Sequence, residues 1–240
     1  MWIKAPNMKS THGFSTRHGG ISAAPFNTLN LGSSQDSPSN ITTNRERALQ
    51  DLQLNTSQLC TLKQVHGTRV CQAKPGSQEG DALVTDDPNM VLAVSVADCY
   101  PILFYDSTKQ IVAAAHAGWR GTVGKIAGRV VEEMMKLGSS PQNIQVAIGQ
   151  GISQKHFEVG EEVVEQFETA GFPEQILGHG TSSRRTINLA AANKWIVAQQ
   201  GIPEENVWSM NRCTFEEDFF SYRRDQGITG RMWGLITLRK

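Results

Sequence analysis

His66, Cys99 and His116 carry the most informative chemistry in this 240-residue chain. Each stands beside a chain reversal at the end of a β-like run. His66 lies in Gln64-Val65-His66-Gly67, Cys99 in Ala97-Asp98-Cys99-Tyr100-Pro101, and His116 in Ala115-His116-Ala117-Gly118-Trp119-Arg120-Gly121. Two imidazoles and one thiol, with a fourth position left open, describe a catalytic rather than a structural Zn²⁺ site. Copper accepts the same donor types. The spacing is too wide for a linear zinc-finger pattern, so convergence must come from the fold. Asp81 and Asp98 are candidate carboxylates behind these ligands, able to orient an imidazole or accept a proton; the alternative is a pair of solvated turn residues. Without a metal, Cys99 and His116 read equally as nucleophile and base of a cysteine hydrolase.

A second group of residues suits anions. Arg17 lies in Ser15-Thr16-Arg17-His18-Gly19-Gly20, Arg120 precedes an expected helix start, and Arg223-Arg224 follow Phe219-Phe220-Ser221-Tyr222. A guanidinium clamps phosphate or carboxylate in two-point fashion, and a helix N-terminus at Gly121 adds N–H donors. Phe14, Trp119, Phe219, Phe220 and Tyr222 neighbour these polar groups and offer faces for stacking, with core packing as the competing role.

These residues need a scaffold. The sequence predicts helices over 40–52, 121–137, 159–170 and 188–200, the first capped by Ser37 or Asn40 and the last by Asn188. Val123, Ile126, Ala127, Val130, Val131 and Met134 give the second its apolar face, and Gly138 stops it. Strands are expected at 13–16, 59–65, 69–73, 82–85, 91–96, 102–105, 111–115, 144–148, 207–210 and 233–238. Strands follow one another directly instead of alternating with helices, which predicts an α+β protein with mixed or antiparallel sheets in one domain over 1–240. The stretch 32–40 reads as a surface loop leading into the first helix.

Lys plus Arg and Asp plus Glu both number 23, so no global field recruits nucleic acid or an anionic membrane. No signal peptide is evident at Met1-Trp2-Ile3-Lys4-Ala5-Pro6, and no apolar run is long enough to span a bilayer; a cytoplasmic protein is expected. Cys60, Cys71, Cys99 and Cys213 are scattered, without a disulfide pattern. Free, buried, inert thiols are expected for all but Cys99.

The motifs together resemble the YfiH-type laccase-domain family, also called the polyphenol-oxidase or purine nucleoside phosphorylase family, one branch of which is described as a peptidoglycan-editing factor. The resemblance runs through Ser15-Thr16-Arg17 with Gly19-Gly20, Leu29-Asn30-Leu31-Gly32, Gln64-Val65-His66-Gly67, Gly80-Asp81-Ala82, the Cys99 and His116 motifs, Phe157-Glu158-Val159-Gly160, and Arg212-Cys213-Thr214 leading to Phe220-Ser221-Tyr222-Arg223-Arg224-Asp225. It implies an α/β/β/α layered sandwich and a metal-binding, catalytic set of His66, Cys99 and His116, usually with zinc. It also implies purine nucleosides and phosphate as partners: phosphorolysis of adenosine, inosine and methylthioadenosine, with hydrolytic deamination of adenosine as a second activity. Asn30 then joins Arg17, Arg120, Arg223 and Arg224 as a candidate contact for substrate or phosphate. Three other readings stand beside this one: a cysteine-type amide hydrolase editing cell-wall precursors, a copper-dependent phenol oxidase, and a small-molecule-binding protein without turnover. Relatives commonly carry Ile-Gly-Pro where this chain has Ile148-Gly149-Gln150-Gly151-Ile152, which predicts a more mobile loop there.

Overall fold

The computed structural model describes residues 1–32, 35–180 and 184–239. The first strands are β1 (Trp2–Ile3), β2 (His12–Ser15), β3 (Leu59–Lys63), β4 (Val70–Gln72) and β5 (Gly76–Glu79). They are followed by β6 (Ala82–Thr85), β7 (Val91–Val96), β8 (Tyr100–Asp106), β9 (Ile111–Ala117) and β10 (Ile144–Ile148). The last are β11 (Glu158–Val159), β12 (Leu177–His179), β13 (Arg185–Ile187), β14 (Val207–Ser209) and β15 (Met232–Thr237). The helices are α1 (Pro38–Gln50), α2 (Trp119–Val123), α3 (Ile126–Lys136), α4 (Glu161–Thr169) and α5 (Leu189–Gln199).

Two six-stranded mixed sheets, ordered β1-β2-β15-β7-β3-β5 and β14-β10-β8-β9-β6-β4, pack face to face. Strand alternation sorts the side chains into layers. Leu92 and Val94 of β7, with Phe14 and Ile236, meet Leu103 of β8 and Val112 and Ala114 of β9 between the sheets. On the outer face of the first sheet, Val91, Ala93, Trp233 and Leu235 pack against Ala48 and Leu49 of α1. On the outer face of the second, Ile102, Phe104, Ala113 and Ala115 pack against α3, α5 and Phe167 of α4. The layers are therefore α/β/β/α, as the family resemblance implies. No helix among the described residues is long and apolar enough to cross a membrane.

The helix expected over 121–137 is two helices, broken at Gly124 and Lys125, whose φ is +61°. A Cβ on Gly124 would lie 2.4 Å from Cγ2 of Thr68, so this turn is pressed against the loop that follows His66. The apolar period hides the break because Val123 and Ile126 fall on the same buried side. The helix does stop at Gly138, with φ +100°. The helix expected at 40–52 begins at Pro38; Ser37 is its N-cap by position but forms no side-chain cap hydrogen bond. Asn188 does cap α5, accepting from the N–H of Ala191 at 2.9 Å. Of the loop expected at 32–40, Ser33 and Ser34 lie outside the described residues. The small sheet β11-β13-β12 and the polar strand β5 were not foreseen.

Candidate metal centre and its cavity

All three candidate ligands lie at one end of the sandwich, where the chain crosses between sheets. β3 belongs to the first sheet and β4 to the second, and His66 sits in the crossing. β7 and β8 are likewise in different sheets, joined by Ala97-Asp98-Cys99. His116 occupies the penultimate position of β9 and shares the inter-sheet face of Val112 and Ala114. Their ligand atoms lie within 4.8 Å of one another. His116 is buried, Cys99 half-buried and His66 exposed, so the cluster is anchored within the fold and open on one side.

Local backbone devices hold each residue. The Gln64 side chain pairs with β7 as another strand would: its Nε2 donates to the Ser95 carbonyl at 2.8 Å, and its Oε1 accepts from the Ser95 N–H at 2.7 Å. The chain then turns through His66 at φ +58°. The buried Asp81 carboxylate accepts from the backbone N–H groups of Val65, His66 and Gly67. The same carboxylate lies 2.9 Å from Nδ1 of His116. Asp98 takes φ +90°, a conformation costing on the order of 1–3 kcal/mol, to aim Cys99. Gly118 leaves space for the cluster: a Cβ there would stand 3.0 Å from the Cys99 sulfur and 3.1 Å from the His66 ring.

The electrostatics match the geometry. Burial tends to raise the pKa of Asp81, but the His116 hydrogen bond and the Gly67 N–H outweigh it, so this carboxyl sits below its ordinary range and is ionised. An ionised Asp81 accepts a hydrogen bond from Nδ1–H of His116, which leaves Nε2 facing the cluster. Burial alone would push the Cys99 thiol up, yet the charge and hydrogen bond of His116, aided by His66, bring it down to about 6. His116 is opposed by burial and raised to about 9 by Cys99 and Asp81. A thiolate and two imidazoles suit zinc or another thiophilic ion, and the donor set fits a three-ligand catalytic site.

The open side faces a cavity of about 720 Å³, within the range of about 300–1,000 Å³ typical of small-ligand sites. Phe157 and Tyr222 line it, as do Arg45, Arg223 and Arg231.

The family described as multi-copper polyphenol oxidoreductase laccase matches residues 11–239. The chain belongs to this family. A purine nucleoside phosphorylase of Deinococcus radiodurans is 45% identical, covering 98% of this chain and 92% of that protein. Purine nucleoside phosphorylase YfiH of Escherichia coli is 38% identical over 93% of this chain and 92% of its own length. Adenosine deaminase RL5, from an unknown prokaryotic organism, is 45% identical over 60% of this chain and 56% of its own length. The crystal structure of YlmD from Geobacillus stearothermophilus superposes with a TM-score of 0.93 at 32% identity, covering 100% of this chain and 96% of that one.

In this laccase-family chain the four candidate arginines lie in different places. Arg223 lines the cavity, its backbone N–H bound to Asp98 and its Nη1 donating to the Glu158 carbonyl at 3.1 Å. Arg17 and Arg224 line a different hollow. Arg17 donates to Asn27 and lies over Phe220, while Arg224 pairs with Asp225 and donates to the carbonyls of Thr214, Glu216 and Phe219. Arg120 is exposed, 4.4 Å above the Trp119 ring, and does not line the cavity. Asn30 is fully buried; its Oδ1 accepts from the N–H groups of Gly32 and Arg231, which makes it a holder of the cavity edge. Among the described residues Asp98 forms no hydrogen bond to an imidazole. Its carboxylate instead accepts from Oγ1 of Thr214 and the N–H of Arg223, tying the Cys99 turn to the cavity's outer rim.

Of the aromatic candidates, Phe14, Phe219 and Phe220 are core residues, and only Tyr222 lines the cavity. Cys60 and Cys71 are buried free thiols, and the half-buried Cys213 accepts from the N–H groups of Ser153 and Phe215. The loop expected to be mobile is tied down: Gln150 is fully buried and donates to the Ser15 carbonyl, and Gly149 and Ile152 donate to the carbonyls of Pro101 and Asp98. Arg45 and Arg231 were missed. Arg45 reads as a solvated helix residue and Arg231 as a turn residue, and neither belongs to a local motif.

Proposed function

We propose that the chain is a zinc-dependent purine nucleoside phosphorylase with adenosine deaminase activity, working in the cytoplasm as one catalytic domain over 1–240. The observation that carries this reading is the His66-Cys99-His116 cluster opening onto a cavity with aromatic and guanidinium walls. The names of the relatives agree with it. Adenosine, inosine and methylthioadenosine are the proposed substrates.

His66, Cys99 and His116 would hold the metal, which supplies Lewis-acid activation of water for deamination when bound. Asp81 fixes the His116 tautomer and, through three N–H groups, the His66 turn. Tyr222 and Phe157 offer flat faces for a purine. In phosphorolysis a phosphate oxygen forms a bond to C1′ of the ribose as the C1′–N9 bond breaks; the bonding pair leaves with the base, which takes up a proton. The cavity walls hold phosphate and sugar in line for that exchange.

One observation favours a second reading. Cys99, His116 and Asp81 form a connected thiol-imidazole-carboxylate series, the arrangement of a cysteine hydrolase acting on amides such as cell-wall precursor peptides. The two readings separate on one preparation. Metal content is measured, then adenosine and inosine are incubated with and without phosphate and the products identified. Phosphate-dependent ribose 1-phosphate supports phosphorolysis; a fully zinc-loaded sample that turns over no nucleoside refutes the first reading. Amide hydrolysis that survives metal removal and disappears in Cys99→Ser supports the second.

A further inference from the structure

The cavity holds two cations that the cluster does not use. Arg45 projects from α1 and Arg231 from the residue before β15, and both line the cavity that reaches Cys99. Arg45 and Ser95 meet at Gly32, and the stem of Arg231 flanks it: a Cβ there would lie 3.8 Å from Nη2 of Arg45, 3.2 Å from Oγ of Ser95 and 3.6 Å from Cβ of Arg231. Gly32 has no positive φ, so glycine serves here to leave space.

Both guanidiniums are half-buried, and neither forms an ion pair with a carboxylate among the described residues. Arg45 spends Nε on the Leu31 carbonyl at 2.8 Å and lies over the Trp233 ring. Arg231 spends Nη1 on the carbonyls of Thr229 and Gly230 and lies over Tyr222. Within the described residues the remaining guanidinium N–H groups donate to no protein acceptor, and both side chains line the cavity. Ser95 Oγ accepts from Nε1 of Trp233 at 3.1 Å, leaving its O–H to donate. Burial disfavours the charge on each guanidinium, offset in part for Arg231 by Cys99, Tyr222 and Asp98, and an anion taking up their remaining N–H groups offsets it further. Arg223, by contrast, is exposed and drawn to the Glu158 carbonyl and the Phe157 ring.

We propose that Arg45, Arg231 and Ser95 around Gly32 form the subsite for inorganic phosphate in this cavity. The proposal rests on the phosphorylase reading for its catalytic meaning, but binding of the anion tests it separately. Two guanidiniums and a hydroxyl hold three phosphate oxygens and leave the fourth for C1′ of the ribose. Arg45, Ser95 and Arg231 line the same cavity as His66, Cys99 and His116, which places this subsite and the metal ligands on one substrate-sized space.

The test uses Arg45→Met, Arg231→Met and the charge-conserving Arg45→Lys. Binding of inorganic phosphate to the full chain is followed by ³¹P line broadening, and steady-state phosphorolysis of inosine gives separate KM values for phosphate and nucleoside. Each Met variant is expected to weaken phosphate binding and raise the phosphate KM by about 10–100-fold, with the inosine KM moving far less and Arg45→Lys recovering part of the loss. Deamination, which takes no phosphate, is expected to fall much less than phosphorolysis. Wild-type protein that binds phosphate but phosphorolyses nothing refutes the phosphorylase reading and leaves the subsite standing. Wild-type protein that does not bind phosphate, or variants that bind it equally well, overturn the subsite. So does capture of a nucleoside monophosphate through these arginines when inorganic phosphate is not bound.

Discussion

The metal-ligand end of the sandwich and the arginine wall of the same cavity are built by different means. The ligands stand at strand ends, where the ladder sets position: Pro101 opposes His116 across β8 and β9, and Ala82 opposes Ala115, which puts Asp81 beside His116. The wall draws Arg45 from a helix, Arg223 from a loop and Arg231 from the approach to β15. Its parts meet only because Asn30 holds Gly32 and Arg231, Asp98 holds Arg223, and β15 pairs with β7. Strand register fixes the reacting end closely. The wall is an assembly of segments distant in sequence, so the two regions should fail differently when mutated.

The largest effect belongs to the cluster. Cys99→Ser removes the thiolate, and bound zinc and nucleoside turnover should both fall by more than the ~10–100-fold that follows loss of a residue behind the ligands. Metal analysis with adenosine and inosine assays checks this. Normal zinc content with normal turnover would show that the cluster is not the reaction centre.

A related measurement tests the electrostatics without metal. Cys99 is lowered from 9.0 to about 6, against burial, chiefly by His116. A lowered thiol pKa means that thiolate persists as the pH falls until about 6, whereas an ordinary thiol is already protonated below 9. Iodoacetamide should therefore alkylate Cys99 in metal-free protein with a midpoint near pH 6, and at pH 7 the thiolate fraction should be tens of times (~50–100-fold) that of an ordinary thiol. A midpoint near 9 would separate Cys99 from His116.

Asp81→Asn should have the next largest effect, because one carboxylate serves two ligands. The amide has one oxygen for the three N–H groups and His116, and its NH₂ turns a donor toward donors. Metal affinity should drop ~10–100-fold, with a stability loss of about 1–3 kcal/mol from buried groups left unpaired. Calorimetric zinc titration and denaturant melts read these separately. A drop in stability with unchanged zinc affinity would reduce Asp81 to a structural turn residue.

The same contrast explains what the sequence made readable. His66, Cys99 and His116 each leave a local signature, a strand, a reactive side chain and a chain reversal, and close approach around the cluster adds Gly118. The major apolar strands were visible because burial on both faces makes β7, β8 and β9 continuous hydrophobic runs. β5 and β13 were not: Gly76-Ser77-Gln78-Glu79 is largely exposed, and Arg185-Thr186-Ile187 is too short to show a period. The break at Gly124 was hidden because it answers to Thr68, a tertiary neighbour. Arg45 is a tertiary fact of the same kind. Nothing in Asn44-Arg45-Glu46-Arg47 says which arginine faces a cavity, since that depends on Gly32 and Arg231 arriving from elsewhere.

The smallest predicted effect therefore falls on a candidate arginine that the sequence sets beside a reactive histidine. Arg120 adjoins the Ala115-His116-Ala117-Gly118 motif and starts a helix, yet it is exposed, rests on Trp119 and does not line the cavity. Its charge is screened by solvent, and its stacking contact is worth about 0.5–1 kcal/mol at such a site. Arg120→Ala should thus shift the phosphate KM by less than about twofold, well within what a surface charge does through long-range attraction alone. Measured beside Arg45→Met, it asks whether nearness in sequence to a reactive histidine or placement on the cavity wall decides which guanidinium meets the anion. A large rise in phosphate KM for Arg120→Ala with none for Arg45→Met would invert the contrast between the two regions, because phosphate would then enter from the α2 side of the sandwich.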